Sequence, residues 1–386
     1  MKKWIIYTLS GFLTISFLLF MIMIPIYKPF SNRTKTIQIH SDEEFGKYNF
    51  EGTGTINDPY LIQNLELGIT DLYLDDFYSV ISIANTSKHF IIQDCIISGG
   101  AKSIILNNIA DGSAKILNNT LIAYAYYLNN SEITTTYGIK IKNSDFIEIR
   151  NNHFKGKEYS LNRYAKFASS ICLEDVANCI IDSNYFEQSS IPIECLNSKY
   201  ISIVNNYCNF ELDVGLLISN CYFLIMKNNS FEGYVYTAFY LSYSSYVYLI
   251  NNSFSSSTFS TAIRINYCYE IILHNNTINK YFTGIRISYS SGLLISYNLI
   301  KLCNEYAIDL YFSVNQTRVF HNDFLNNNLA EIVNSQCNDN CFSNEWYDKI
   351  IMEGNYWSDL GENIFYEIDG DANAVDLYPL LEPIMA

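Results

Sequence analysis

The stretch "AIRINYCYEIILHNNTINKYFTGIRISYSSGLLISYNLI", residues 262–300, states one phrase twice. Ala262-Ile263-Arg264-Ile265 returns 22 residues later as Gly284-Ile285-Arg286-Ile287, and His274-Asn275-Asn276-Thr277-Ile278 returns as Ser296-Tyr297-Asn298-Leu299-Ile300. Ile285 and Ile287 alternate with Arg286 and Ser288, the period-two pattern of a strand with one buried face, and a second short strand begins at Leu293. Asn, Ser and Gly fill the corners between them. No part of the unit has a helical period or the leucine consensus of a horseshoe repeat. The phrase therefore predicts an all-β fold, a parallel β-helix solenoid with three short strands per coil of roughly 22–25 residues.

The phrase extends in both directions. Taking the Asn, or its substitute, two residues before an apolar side chain as a marker gives Asp94, Asn119, Asn152, Asn184, Asn206, Asn229, Asn252, Asn276, Asn298, Asn322 and Asn355. The three longest gaps hold "NNSEITTTY" before Gly138, "KGKEYSLNRYAKFA" before Ser169 and the Cys337 to Cys341 region, and insertions in a solenoid emerge as loops. Stacked coils place equivalent side chains about 4.8 Å apart. Amides at such a corner can bond along the axis and satisfy turn backbone groups. Asn118, Asn228, Asn251 and Asn275 begin N-x-S/T sequons inside that corner, where a ladder leaves little room for a glycan.

Composition narrows the function classes. The formal net charge is -15, from 24 Lys plus Arg against 39 Asp plus Glu, and no basic run follows residue 35, so no nucleic-acid partner is expected. Lys2 and Lys3 precede an uncharged, largely apolar run from Trp4 to Tyr27, and Lys28 ends it. Residues 1–28 thus read as a signal anchor or a cleaved signal peptide, a membrane partner through the N-terminal segment, with 29–49 as linker. Either reading sends the rest to a cell surface or periplasm-like space, anchored or secreted. Most of the ten cysteines stand singly in apolar phrases as small hydrophobes. In "CNDNC", Cys337 and Cys341 leave a local disulfide open.

The ends carry their own phrases. "GTGTINDPYLIQNLEL", Gly52 to Leu67, reads as a glycine-rich turn feeding the first strand. "GNYWSDLGENIFYEIDGDANAVDLYPL", Gly354 to Leu380, leaves the repeat and offers Tyr356, Trp357, Phe365, Tyr366 and Tyr378 to seal the last coil. With the opening "GTGTINDPYLI", the repeated "NNSF" and "NNTI" and the closing "GNYWSDL" and "DGDANAVDLYPL", the sequence resembles right-handed parallel β-helix proteins of the NosD-like, PbH1-repeat type over residues 50–382, which implies a right-handed parallel β-helix solenoid here. The resemblance implies a surface carbohydrate-binding or polysaccharide-acting protein, or a periplasmic accessory factor in copper-enzyme maturation.

Metal and catalytic patterns are sparse. Of the five histidines, His40, His89, His153, His274 and His321, the last three take different offsets from their markers, and only Met226 and Met352 lie inside the solenoid, poor material for copper, so no cofactor or metal site is expected. Asp369-Gly370-Asp371-Ala372-Asn373 starts like a calcium loop, but Ala374 and Leu380 break the pattern. This leaves a looser oxygen site with Asp376 or a plain acidic capping loop. Glycan hydrolysis needs two carboxyl groups across a scissile bond, and no such pair can be placed.

The strand beginning twelve residues before each marker supplies a candidate surface. Its outward column reads Lys140, Cys172, Glu194, Leu217, Tyr240, Arg264, Arg286 and, after a one-residue shift, Asp309, with Tyr311 closing a second column two residues on. Arg264 and Arg286 are adjacent like charges that need compensation. Asp309 supplies it, or the pair binds a carboxylate or sulfate of an acidic glycan while Tyr240 and Tyr311 stack on sugar faces. These five residues are the expected ligand-binding set, in an exported surface protein that recognises an extracellular glycan or cell-envelope component without turnover. The alternatives are a polysaccharide hydrolase or lyase acting from the long coils between 120 and 170, and a structural surface protein.

Overall fold

The structure, a computed structural model, describes residues 36–385 apart from 70–78, 124, 129–130, 135–136, 157, 161–162, 165–166, 188, 212–213, 235, 257–259 and 332. Residues 1–28 lie outside the described residues, as do parts of the coils between 120 and 170. Among the described residues no helix is long and apolar enough to cross a membrane.

The chain winds as a parallel β-helix. One coil runs through Thr261–Asn266, Tyr269–His274 and Thr277–Asn279, and each strand pairs in parallel with its equivalent in the next coil. The first two strand columns join in one 23-stranded sheet, and the third forms a 12-stranded sheet. Inward residues stack into continuous columns. Ile104, Ile139, Ile171, Ile193, Leu216, Phe239, Ile263, Ile285 and Ile308 lie in register and are buried. Each such side chain contributes about 1.5–3 kcal/mol on burial, but only against the neighbouring coil. That requirement turns a repeated phrase into a stack.

The expected Asn ladder is present from Asn119 to Asn355. Asn252 is representative: its Nδ2 donates to Met226 O (3.0 Å) and Asn276 Oδ1 (3.0 Å), while its Oδ1 accepts from Asn229 N (3.0 Å) and Nδ2 (2.9 Å). The first marker requires correction, because Cys95 rather than Asp94 occupies the ladder position and its N–H donates to Asn119 Oδ1. Asp94 takes the preceding left-handed corner (φ 53°), as Asn118, Asn228, Asn251 and Asn275 do in their coils. The sequon asparagines therefore lie outside the buried ladder, on a second rung series such as Asn275 Nδ2 to Asn251 Oδ1 (2.7 Å).

Both ends differ from the sequence reading. Part of the 29–49 segment, expected as linker, belongs to the solenoid: Ile37–Ile39 pairs with Ser79–Thr86, and the 3-10 turn Asp42–Lys47 stacks Phe45 on Tyr60 (4.7 Å). Exposed apolar coil ends need a cover, and Phe45 provides it here. At the other end Trp357 stacks on Phe324 (4.4 Å) and Tyr366 (3.9 Å), whereas Phe365 and Tyr378 remain exposed. Asp376 terminates the ladder instead of contributing to an oxygen-ligand site. Its Oδ2 accepts from Asn355 N (2.8 Å) and Trp357 Nε1 (2.9 Å). A Cβ on Gly354 would stand 1.9 Å from Asp376 Oδ1, so only glycine fits beside it.

Burial pushes the Asp376 and Asp339 carboxyls above their ordinary range, although indole and backbone N–H donors pull the other way. A raised folded-state pKa gives stability that is complete below the unfolded value, near 4, and is lost as pH rises through the folded value. The melting-temperature advantage of wild type over Asp376→Asn is therefore expected to be largest at low pH and to shrink toward neutrality. A pH-independent difference would contradict this assignment.

All ten cysteines are free and buried, Cys337 and Cys341 included, so the local disulfide left open by their spacing is not formed. Cys337 packs in the core column, and Cys341 turns back with its N–H on Asp339 Oδ1 (3.0 Å). Alkylation under denaturing conditions without reductant is expected to label ten thiols. Eight labelled thiols would contradict this, and peptide mapping would tell a Cys337–Cys341 bond from one between Cys195 and Cys221, whose sulfurs lie 3.5 Å apart.

Candidate functional site

The outward column assembles in the expected register: Lys140, Cys172, Glu194, Leu217, Tyr240, Arg264, Arg286 and Asp309 are successive pairing partners. Its early part satisfies itself. Lys140 and Lys142 both reach Glu174 (3.2 and 2.7 Å), and Ser169 donates to Glu194 (2.6 Å). Cys172 is buried among them, and burial pushes its thiol up to about 12, leaving it a poor nucleophile.

The two arginines have different environments. Arg286 Nε bonds Asp309 Oδ2 (2.8 Å), its Nη2 reaches Glu305 Oε2 (3.2 Å), and its guanidinium lies 5.7 Å from the Tyr311 ring centroid. Asn338 Nδ2 donates to Asp309 Oδ1 (2.8 Å), and Thr283 Oγ1 donates to Glu305 Oε2 (3.0 Å). Arg264 is exposed and forms no ion pair among the described residues; its guanidinium lies 5.9 Å from the Tyr240 ring. Asn266 Nδ2 reaches the Tyr240 hydroxyl (3.2 Å), and Ser288 Oγ reaches Asn266 Oδ1 (2.5 Å).

Arg286, Asp309 and Tyr311 line an open groove of about 650 Å³ together with Glu305, Tyr306, Phe312, Asn338, Asn340 and Asp371. Burial and the nearby Asp369 carboxylate push the Tyr306 phenol up to about 12, so it remains a neutral hydroxyl at ordinary pH. The groove thus combines fixed carboxylates, amides and a hydroxyl with aromatic rings. Arg286 clamps the carboxylates in place, which limits the ordering cost of binding a polyhydroxylated ligand.

Sequence reasoning brought together Arg286, Asp309 and Tyr311 but missed Glu305 and Tyr306, which stand outside the repeated strand phrase, and Asn338, which is the pairing partner of Asp309 and so the next member of the outward column. It also missed an aromatic corner. Three residues after each column position the chain takes a left-handed turn, occupied in successive coils by Asn85, Asn108, Asn143, Asp175, Asn197 and Asn220, then by Tyr243, Tyr267, Tyr289 and Phe312, all at φ 46–56°. The four rings stack with centroids 5.0, 4.7 and 5.7 Å apart. A left-handed backbone costs most side chains about 1–2 kcal/mol, and Asn tolerates it best. Each ring pair offsets this by about 0.5–1.5 kcal/mol. The signal was legible as an aromatic three places after Tyr240, Arg264, Arg286 and Asp309.

Copper donors are poorly matched. Met226 is fully buried in the core and Met352 is exposed. His321 Nε2 bonds Glu353 (2.7 Å), and His274 Nδ1 bonds Ser296 (3.2 Å). Among the described residues no group of three or more His, Cys, Asp or Glu side chains is arranged to hold a metal ion.

A protein-family profile described as NosD, periplasmic copper-binding protein, matches residues 160–362, just over half of the chain. No curated protein matches the sequence. Among solved structures the chain is similar to PfbA, a surface adhesin of Streptococcus pneumoniae, at 14% identity over 74% of this chain and 81% of that one, with a TM-score of 0.39. It is also similar to a mutant tailspike protein of E. coli bacteriophage HK620 in complex with pentasaccharide, at 11% identity, 77% and 60% coverage and a TM-score of 0.49. A mutant of the periplasmic alginate epimerase AlgG matches at 12% identity, 74% and 80% coverage and a TM-score of 0.45. The chain thus spans 60% of the tailspike's length.

Proposed function

The chain belongs to the NosD family, and on that premise we propose that it is an extracytoplasmic recognition protein that binds a glycan of the cell envelope in the groove beside Arg286. It works outside the cytoplasm, in a periplasm-like space or at a cell surface. The observation that carries the reading is the clamp: one guanidinium holds Asp309 and Glu305 while Tyr306, Tyr311, Phe312 and Asn338 line the same groove. Carboxylate and amide oxygens at fixed positions accept hydrogen bonds from sugar hydroxyls, and rings cover the apolar sugar faces.

Binding is favoured over turnover because two of the three carboxylates that line the groove, Glu305 and Asp309, are engaged by one arginine, which leaves Asp371 as the one unclamped acid, whereas glycan hydrolysis asks for an acid and a base on opposite sides of the bond. A hydrolase or lyase acting from the coils between 120 and 170 is the competing reading, and an accessory role in metalloenzyme maturation is the further alternative that the sequence resemblance implies. The described donors do not fit copper, so no step is routed through it.

The test is retention of envelope polysaccharide by immobilised full-length protein, with mass spectrometry of the retained sugars. Saturable retention of intact glycan is expected. New reducing ends or unsaturated sugars would transfer the function to the enzyme reading, and absence of retention would overturn glycan recognition.

A further inference from the structure

The left-handed corner changes chemistry partway along the solenoid. From Asn85 to Asn220 it carries Asn or Asp, and Asn side chains bond along the axis, as in Asn108 Nδ2 to Asn85 Oδ1 (2.9 Å) and Asn220 Nδ2 to Asn197 Oδ1 (2.9 Å). The next four coils replace this ladder with Tyr243, Tyr267, Tyr289 and Phe312. Those rings are 58%, 48%, 43% and 61% exposed. Asn already meets the backbone requirement at this corner, so turn geometry does not explain the change.

The change has the same boundaries as the ligand column. It begins in the coil of Tyr240, passes the coils of Arg264 and Arg286, and ends in the coil of Asp309 and Tyr311. Phe312, the last ring, also lines the groove. Because the rings stack nearly parallel, with interplanar angles of 2°, 2° and 19°, their inner faces are covered. The stack presents ring edges once per coil and a row of three tyrosine hydroxyls, from Tyr243, Tyr267 and Tyr289. The coil rise, about 4.8 Å, is close to the length of one pyranose in an extended polysaccharide, so successive sugars meet successive rungs. Arg264, in the outward column three residues before Tyr267, is an exposed guanidinium with no ion pair among the described residues, on a chain of net charge -15.

We propose that the Tyr243–Tyr267–Tyr289–Phe312 corner, with Arg264, is a track that carries a linear acidic polysaccharide parallel to the solenoid axis and leads one end of it into the groove. The proposal rests on the glycan reading and deepens it: the groove takes one end of the chain through hydroxyl contacts, the hydroxyl row follows its length, and Arg264 receives a carboxylate or sulfate. A linear polymer fits better than a branched cap because the surface is one rung wide and repeats the same tyrosine over three coils before Phe312 ends it at the groove.

The experiment measures affinity of the full-length protein for size-fractionated oligogalacturonates, oligomannuronates and hyaluronan oligomers of increasing length. Neutral cello-oligosaccharides serve as the charge control. For the acidic series that binds best, affinity is expected to rise at least tenfold from the shortest to the longest oligomer. The combined Tyr243→Asn, Tyr267→Asn and Tyr289→Asn protein installs the side chain that earlier coils use at this corner, so it is expected to keep its melting temperature and short-oligomer affinity while losing the length dependence. Arg264→Gln alters one exposed side chain and is expected to reduce the preference for acidic over neutral oligomers. Length-independent binding, or a triple variant that melts earlier yet keeps the length effect, overturns the track and leaves the groove intact. Failure of every oligomer at every length overturns the track and the groove together.

Discussion

Replacing Asn252 by alanine is expected to lower the unfolding free energy by about 3 kcal/mol, because a buried donor or acceptor left without a partner costs about 1–3 kcal/mol. Four hydrogen bonds disappear with the side chain: Nδ2 to Met226 O, Nδ2 to Asn276 Oδ1, and the two that Asn229 donates to Oδ1. The backbone N–H of Asn229 and the carbonyl of Met226 then face a cavity away from water. Asn275→Ala, at the corner one residue before the ladder position of the next coil, removes a rung at a half-buried position and adds only left-handed strain, a smaller loss. Urea denaturation separates the two, and amide exchange at Asn229 locates the damage. Equal losses for both variants would refute the ladder as the element that fixes coil register.

The second large effect falls on recognition. Arg286→Ala is expected to weaken glycan binding at least tenfold, which corresponds to about 1.4 kcal/mol. The substitution releases Glu305 and leaves Asp309 with Asn338 as its remaining partner, so the groove loses its clamp as well as a donor. Arg286→Lys keeps the charge but not the planar fork and is expected to recover only part of the affinity. Arg318→Ala provides the control for net charge, because Arg318 pairs with Asp348 and Glu345 on a different strand column. Equal effects at positions 286 and 318 would reduce the result to bulk electrostatics.

The fold was readable because a coil cannot hide its own apolar face and must repeat its phrase, as residues 262–300 do. The outward register was readable for the same reason, down to the one-residue shift that sets Arg286 opposite Asp309. The start of the ladder was misread because the position is filled by Cys95, whose backbone N–H meets Asn119 while its side chain lacks an amide. Glu305 was hidden because its contact with Arg286 comes from a turn, a proximity that alternation within one strand does not encode, and Asn338 because it follows its column partner Asp309 by 29 residues, outside the regular spacing. Asp376 resembled a cation ligand because sequence gives its charge but not the indole and backbone N–H groups that surround it. Part of the 29–49 stretch joins the solenoid because Phe45 covers the first coil, a function one aromatic in a polar run does not announce.

The most direct test of groove recognition is amide hydrogen exchange on the full-length protein with and without the retained glycan. Added protection is expected at residues 305–312 and 338–340, and it should vanish in Arg286→Ala. Protection confined to the coils between 120 and 170, or unchanged in that variant, would contradict a binding site at Arg286.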